Sequence, residues 1–262
     1  MAGADADLRG RRVLVVGASS GIGRAMAVAA GRRGATVAVS ARRRDMVEEV
    51  AAQIRAAGSD ARAWRCDVTD DAQCAGLVDD AAAWLGGIDL LVYMSGSSPL
   101  VRIADADART WHTMLATNLI GAALVVSRAL PHLRRSEHPA VIVTTHSMGD
   151  PWPWLGVYGS TKAALAEMAR GLRAEEPGMR VVCVAVGNTA TSFAEQWEPE
   201  AATAALEQWI AAGKLRYRVL QPDEMAGAIF DVLADDDAPD DVLIAGEEGT
   251  DALLVVAQDT AS

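Results

Sequence analysis

The stretch Gly17-Ala18-Ser19-Ser20-Gly21-Ile22-Gly23 follows an apolar run at residues 12–16 and leads into residues 22–33, where apolar side chains recur at helical spacing. Strand, glycine-rich turn and helix in that order make a phosphate-binding device. Glycines let the backbone turn tightly and approach a pyrophosphate, and the helix start offers free N–H groups at the positive end of its dipole. In a chain with 23 glycines a plain turn is the competing reading. Position after the first strand is what gives the turn weight. Ser19, Ser20 and Ile22 join Gly17, Gly21 and Gly23 as candidate cofactor contacts.

Outward from this turn, short β-branched runs alternate with longer Ala-rich segments. Strands are expected at residues 12–16, 36–40, 62–66, 89–94, 140–145, 180–186 and 241–245, with helices between them. Asp45 and Thr69 or Asp70 are expected as N-caps, with Gly58 just past a helix end. The strands are apolar almost throughout, as expected when both faces of a parallel sheet are covered. The expected fold is α/β: a single-domain, doubly wound parallel sheet (a Rossmann fold) of about seven strands with helices on both faces, spanning residues 1–262. Residues 188–213 read as a substrate-binding loop and helix inserted within it.

The 262 residues carry 24 basic and 35 acidic side chains, a net charge of −11. Such a chain repels phosphate backbones and anionic bilayers, so neither nucleic acid nor membrane is an expected partner. The start of the chain has no apolar core of a signal peptide, and no apolar run is expected to approach the ~20 residues of a membrane span. A soluble cytoplasmic protein is expected. Cys66, Cys74 and Cys183 show no metal-ligand spacing and read as buried small hydrophobes, and no metal site is expected.

The second strand ends Val39-Ser40-Ala41-Arg42-Arg43-Arg44, with no carboxylate to accept ribose hydroxyls. The guanidinium groups of Arg42 and Arg43 suit a 2′-phosphate, which favours NADP over NAD. A solvated helix start in an Arg-rich chain is the plain alternative. Further along, Tyr158 and Lys162 share one helix face at i, i+4 spacing. A neighbouring ammonium favours the phenolate and so prepares a tyrosine for acid–base work. Lys162 and Lys214 are the only lysines. Three tyrosines and two lysines in 262 positions give a chance expectation of about 0.02 for Tyr-x3-Lys.

With Gly17-x3-Gly21-x-Gly23, Asp67-Val68, Asn118, Tyr158-x3-Lys162 and Thr191 in this order, the chain resembles the short-chain dehydrogenase/reductase family over essentially its whole length. Its pattern is similar to that of divergent actinobacterial members. The resemblance implies a homotetramer or homodimer. It implies that Tyr158 exchanges a proton with a carbonyl oxygen, and that Lys162 lowers the tyrosine pKa and bonds the nicotinamide ribose. Asn118 would hold a relay water, Asp67 and Val68 would flank the adenine, and Thr191 would contact the carboxamide. Ser95, Gly96 and Gly187 occupy the family's cofactor-packing positions.

Three departures stand out. The family serine thirteen positions before the tyrosine is Thr145, with Ser147 as the alternative, and His146 between them is expected to face solvent or cap the strand. The family's Asn-Asn-Ala-Gly reads Tyr93-Met94-Ser95-Gly96, so local packing must differ. The Pro-Gly after the sixth strand reads Val186-Gly187. Four of the seven tryptophans lie in residues 148–155 and 193–209, which suits an apolar carbonyl substrate or, equally, loop packing. The expected activity is NADP-dependent hydride transfer between nicotinamide and a carbonyl or secondary alcohol. The alternatives are a non-redox enzyme of the same fold (cyclase, isomerase or dehydratase) and a nucleotide-sensing binding protein.

Overall fold

The computed structural model describes residues 6–146, 151–215 and 217–258. Eight strands form one sheet: β1 (Arg12–Val16), β2 (Thr36–Ala41), β3 (Ala61–Arg65), β4 (Leu90–Tyr93), β5 (Ala140–Thr145), β6 (Arg180–Val186), β7 (Asp241–Gly246) and β8 (Leu253–Ala257). Their order is β3-β2-β1-β4-β5-β6-β7-β8. The first seven run parallel, and β8 pairs antiparallel to β7. The helices are α1 (Gly21–Arg32), α2 (Arg44–Ala56), α3 (Asp71–Leu85), α4 (Ala108–Leu115), α5 (Gly121–Leu133), α6 (Gly156–Glu175), α7 (Pro199–Ala211) and α8 (Pro222–Ala234).

Alternation along β1 shows why the strands are apolar on both sides. Val13 and Val15 enter the core shared with α1, α2 and α8, while Leu14 and Val16 enter the core shared with α3, α5 and α6. The chain winds outward from β1 to β3, then returns so that β4 pairs with the free side of β1. That reversal opens a crevice at the carboxyl ends of β1 and β4, where the glycine turn sits.

The structure corrects the expected elements at a few places. The sheet has eight strands rather than about seven. β8 follows the acidic turn at residues 247–251 and lies at the sheet edge with Val255 and Val256 about half exposed, so no burial pattern announces it. Asp45 is not a cap; it lies in the first turn of α2, whose N-cap is Arg43. Asp70, rather than Thr69, caps α3 by accepting from Gln73 N. Gly58 does follow a helix end, at φ +96°. The helical run Ala108–Leu133 is long and apolar enough to cross a membrane by length and composition, with a window of mean hydropathy 1.5. The expectation that no run approaches that length therefore fails. Ala122, Val125, Val126, Ala129 and Leu133 of this run pack against the sheet.

Candidate active site

A cleft of about 930 Å³ runs across the carboxyl ends of the strands, from the glycine turn to a wall of aromatic rings. A smaller hollow of about 350 Å³, lined by Arg12, Gly86 and His132, lies at the opposite ends of the strands.

At one end of the cleft the backbone dictates the sequence. Gly17 has φ +91°, a left-handed conformation that favours glycine, and its N–H donates to Ser40 O at 2.8 Å. A Cβ on Gly17 would stand 2.5 Å from Ser95 N and 2.7 Å from Met94 C, so the exit of β4 leaves no room for a methyl. A Cβ on Gly23 would strike Gly17 O. Gly21 has φ +55° and faces the Thr191 side chain, and Ser192 Oγ donates to Ser20 Oγ at 3.1 Å. The segment after β6 therefore closes over the turn. The N-cap of α1, Ser20, makes no side-chain cap bond, and Gly21, Ile22 and Gly23 all line the cleft. An uncapped helix start facing a cleft across a turn too tight for side chains fits a dinucleotide pyrophosphate.

Arg42 and Arg43 also line the cleft, and Arg43 Nη2 donates to Ser19 Oγ at 3.1 Å and Ser20 Oγ at 3.2 Å. Asp67 accepts from Thr69 N at 3.0 Å and Thr69 Oγ1 at 2.8 Å, and these bonds hold its carboxyl below the usual range. Val68 is buried beside it. Ser95 and Gly96 line the middle of the cleft. Gly187 does too, and its N–H donates to Ile244 O at 2.8 Å; a Cβ there would meet Ala245 at 2.8 Å.

Tyr158 and Lys162 lie one turn apart on α6, facing the middle of the cleft. Lys162 Nζ donates to Thr144 O at 2.8 Å and lies 5.8 Å from the centroid of the Tyr158 ring. Burial pulls the lysine down to about 8. Burial also pushes the Tyr158 phenol up.

Asn118 is fully buried in a π-helical turn, Ala116–Ile120, between α4 and α5. Such turns mark functional sites often enough to be informative. Its Nδ2 donates to Ser97 O and Thr161 Oγ1, both at 3.0 Å, and its Oδ1 accepts from Ser97 N at 2.9 Å. Both amide hydrogens are committed to clamping the β4 exit against α6. Tyr93 supports the same turn. Its hydroxyl donates to Thr117 O at 2.8 Å, and Gly121 makes the space, since a Cβ there would lie 2.9 Å from that hydroxyl. The altered packing expected at Tyr93 is therefore a direct brace on the Asn118 turn. Sequence reading had no signal for Thr161, Ser97 or this brace.

Thr145 is buried at the end of β5 and lines the cleft, but its hydroxyl accepts from Cys183 Sγ at 3.8 Å on the neighbouring strand. Ser147 lies outside the described residues. His146 does not face solvent: its ring packs edge-on against Tyr158 and Trp152. Of the four tryptophans singled out, Trp152, Trp197 and Trp209 line the cleft; Trp154 packs in the same cluster at φ +70°. Phe193 and Leu155 complete this apolar end. Among the described residues no group of three His, Cys, Asp or Glu side chains converges as a metal site would require.

Known proteins share this architecture. The family model for short chain dehydrogenases matches residues 11–202. The chain is 31% identical over 229 residues to 3beta-hydroxysteroid dehydrogenase 1 of Eggerthella lenta, covering 85% of this chain and 86% of that one. It is 32% identical over 232 residues, 84% of its length, to glycine betaine reductase ATRR of Emericella nidulans, of which it spans only 18%. A short chain dehydrogenase of Burkholderia cenocepacia, solved in complex with NADP, superposes with a TM-score of 0.80 at 25% identity, covering 93% of this chain and all of that one. With the fold, the glycine turn and a family match over most of the chain in agreement, the protein belongs to the short-chain dehydrogenase/reductase family of oxidoreductases.

Proposed function

We propose that the protein is an NADP(H)-dependent ketoreductase or alcohol dehydrogenase, acting on the carbonyl or secondary alcohol of an apolar small molecule. The observation that carries this is Tyr158 and Lys162 at the floor of a cleft whose far end is a glycine turn built for a pyrophosphate. The nicotinamide, when bound, supplies or accepts the hydride. Tyr158 donates its phenolic proton to the substrate oxygen in reduction and takes it back in oxidation. Lys162, held on Thr144 O, stands near the phenol, reaches the cleft and would bond the ribose. Asn118, Ser97 and Thr161 keep the β4 exit and α6 in register, so that Tyr158 and Gly96 face the same space. Thr145 or Ser147 orients the substrate oxygen, and Gly187 and Thr191 border the nicotinamide. Positioning and fixed dipoles carry most of such catalysis.

Arg43 beside Ser19 and Ser20, with Arg42 next to it and no carboxylate at the end of β2, favours the 2′-phosphate of NADP over NAD. Asp67 and Val68 would flank the adenine. The NADP bound in the Burkholderia relative supports the same assignment. Residues 188–213 form the substrate wall in this reading, and their tryptophans suit an apolar compound, as does the steroid in the name of the Eggerthella relative. A cytoplasmic homodimer or homotetramer, without nucleic acid or membrane as partner, accompanies the reading.

Thermal unfolding with NADPH, NADH or neither is the test. A ligand at 100 times its Kd adds about 2.7 kcal/mol to the folded state, a rise in Tm of roughly 5–10 °C. A larger shift with NADPH supports the proposal; an equal or larger one with NADH overturns the NADP assignment; no shift with either overturns the oxidoreductase reading.

A further inference from the structure

The apolar end of the cleft is a closed circuit of rings. His146 packs edge-on to Trp152 (centroids 6.1 Å apart), Trp152 to Trp209 (5.2 Å), Trp209 to Trp197 (5.9 Å), Trp197 to Phe193 (5.8 Å), Phe193 to Tyr158 (5.4 Å), and Tyr158 back to His146 (5.7 Å). All six side chains line the cleft. Trp197 Nε1 donates to Ser98 O and Trp209 Nε1 to Pro153 O, both at 2.8 Å. These bonds fix the two indoles and turn their polar edges to backbone, away from any ligand.

Charge sorts the ligands such a wall admits. Among the described residues, the cationic side chains lining the cleft are Arg42 and Arg43 at the opposite end, and Lys162, which donates to Thr144 O. A carboxylate or phosphate on the substrate would thus be desolvated among rings to which the described residues bring no cation. Glu195, by contrast, lines the cleft on the same segment as Phe193 and Trp197. Ring faces carry negative charge and attract cations, most strongly those too weakly hydrated to prefer water.

We propose that this ring circuit receives a compact onium group, a quaternary ammonium or protonated tertiary amine, carried by the substrate beside its reacting carbonyl or alcohol. The inference rests on the oxidoreductase reading above and narrows its apolar substrate to one that carries an alkyl-clad cation. The rings hold the alkyl-clad cation, and Glu195 together with the net charge of −11 draws it in. Its position next to Tyr158 has a chemical consequence. A positive charge beside the ring favours the phenolate and opposes the burial that pushes the phenol up.

The test needs no turnover. Binding of choline and of 3,3-dimethylbutan-1-ol, its neutral isostere with carbon in place of nitrogen, is measured on the full chain by ligand-observed NMR of the methyl signal. The proposal expects choline to bind at least about tenfold tighter. Glu195→Gln, an exposed position, weakens choline about threefold and leaves the isostere unchanged. Phe193→Leu removes most of the preference. Equal or tighter binding of the isostere, or no saturable choline binding, overturns the proposal. The NADPH thermal shift, run on the same samples, separates the two readings. A retained shift without choline preference sinks the onium group alone, and choline preference without a shift sinks the hydride transfer.

Discussion

The two ends of the cleft are built on opposite principles. Around Gly17 the site is made of backbone brought within van der Waals contact, and Gly17, Gly21 and Gly23 are there because side chains cannot be. Around Trp209 the site is made of the largest side chains the chain owns, packed ring against ring. The first end has one chemical solution, because a single methyl destroys it. The second has many, because rings of similar volume fill the same wall. A site of this kind holds its cofactor by necessity and chooses its substrate by composition.

The largest effect expected of breaking this contrast is at Gly17. Gly17→Ala forces a Cβ onto the Ser95 and Met94 backbone at φ +91°, and should abolish the NADPH-induced thermal shift while costing about 4 kcal/mol of stability, read from chemical unfolding. Between the two ends, Tyr158→Phe keeps the ring circuit and removes the proton. It should lower kcat/KM by about 10²- to 10⁴-fold with the NADPH shift intact. Retained turnover would mean that another group handles the proton.

Lys162→Met is expected to trade function for stability. The lysine is pulled from 10.5 to about 8 in the folded protein, so its protonation is penalised there by about 3 kcal/mol. A base with a lowered folded pKa costs stability most fully below pH 8, and the cost fades as pH rises toward 10.5. The variant should therefore be more stable than the parent at pH 7, by about 2 kcal/mol once the lost bond to Thr144 O is counted, and equal to it or weaker near pH 10.5. For the same reason kcat/KM for carbonyl reduction should fall above about pH 8, as the ammonium beside Tyr158 is lost.

Smaller effects sharpen the comparison. Arg43→Ala should weaken NADPH about tenfold and NADH hardly at all, measured as paired Kd values. At the aromatic end, Trp197→Phe keeps a ring and loses the bond to Ser98 O, and should cost only about 1 kcal/mol, with cofactor binding untouched and the KM for substrate altered. A loss as large as that of Gly17→Ala would show that the aromatic wall is as constrained as the glycine turn.

What could be read in the sequence was local. The apolar strands, the helix at residues 22–33, the glycine turn and the Tyr158–Lys162 spacing each depend on neighbours within a few positions, and the structure shows the elements where that reading put them. β8 was missed because an edge strand with exposed Val255 and Val256 carries no burial pattern, and the stretch at roughly residues 107–133, read as helical, is more apolar along its length than that reading allowed.

What only the tertiary structure decided came from contacts across the chain. His146, Phe193 and Trp209 meet because β5, the segment after β6 and α7 end at one rim of the sheet. Tyr93 fits because Gly121 leaves it room, and it then braces the turn that holds Asn118. The Thr145 hydroxyl accepts from Cys183 because parallel pairing sets β6 beside β5. Burial pushes the Tyr158 phenol up and pulls Lys162 down, since desolvation depends on everything folded around a charge. By itself the sequence determined the order of elements and the positions where only glycine fits; the packing of distant segments decided the shape, charge and protonation of the site.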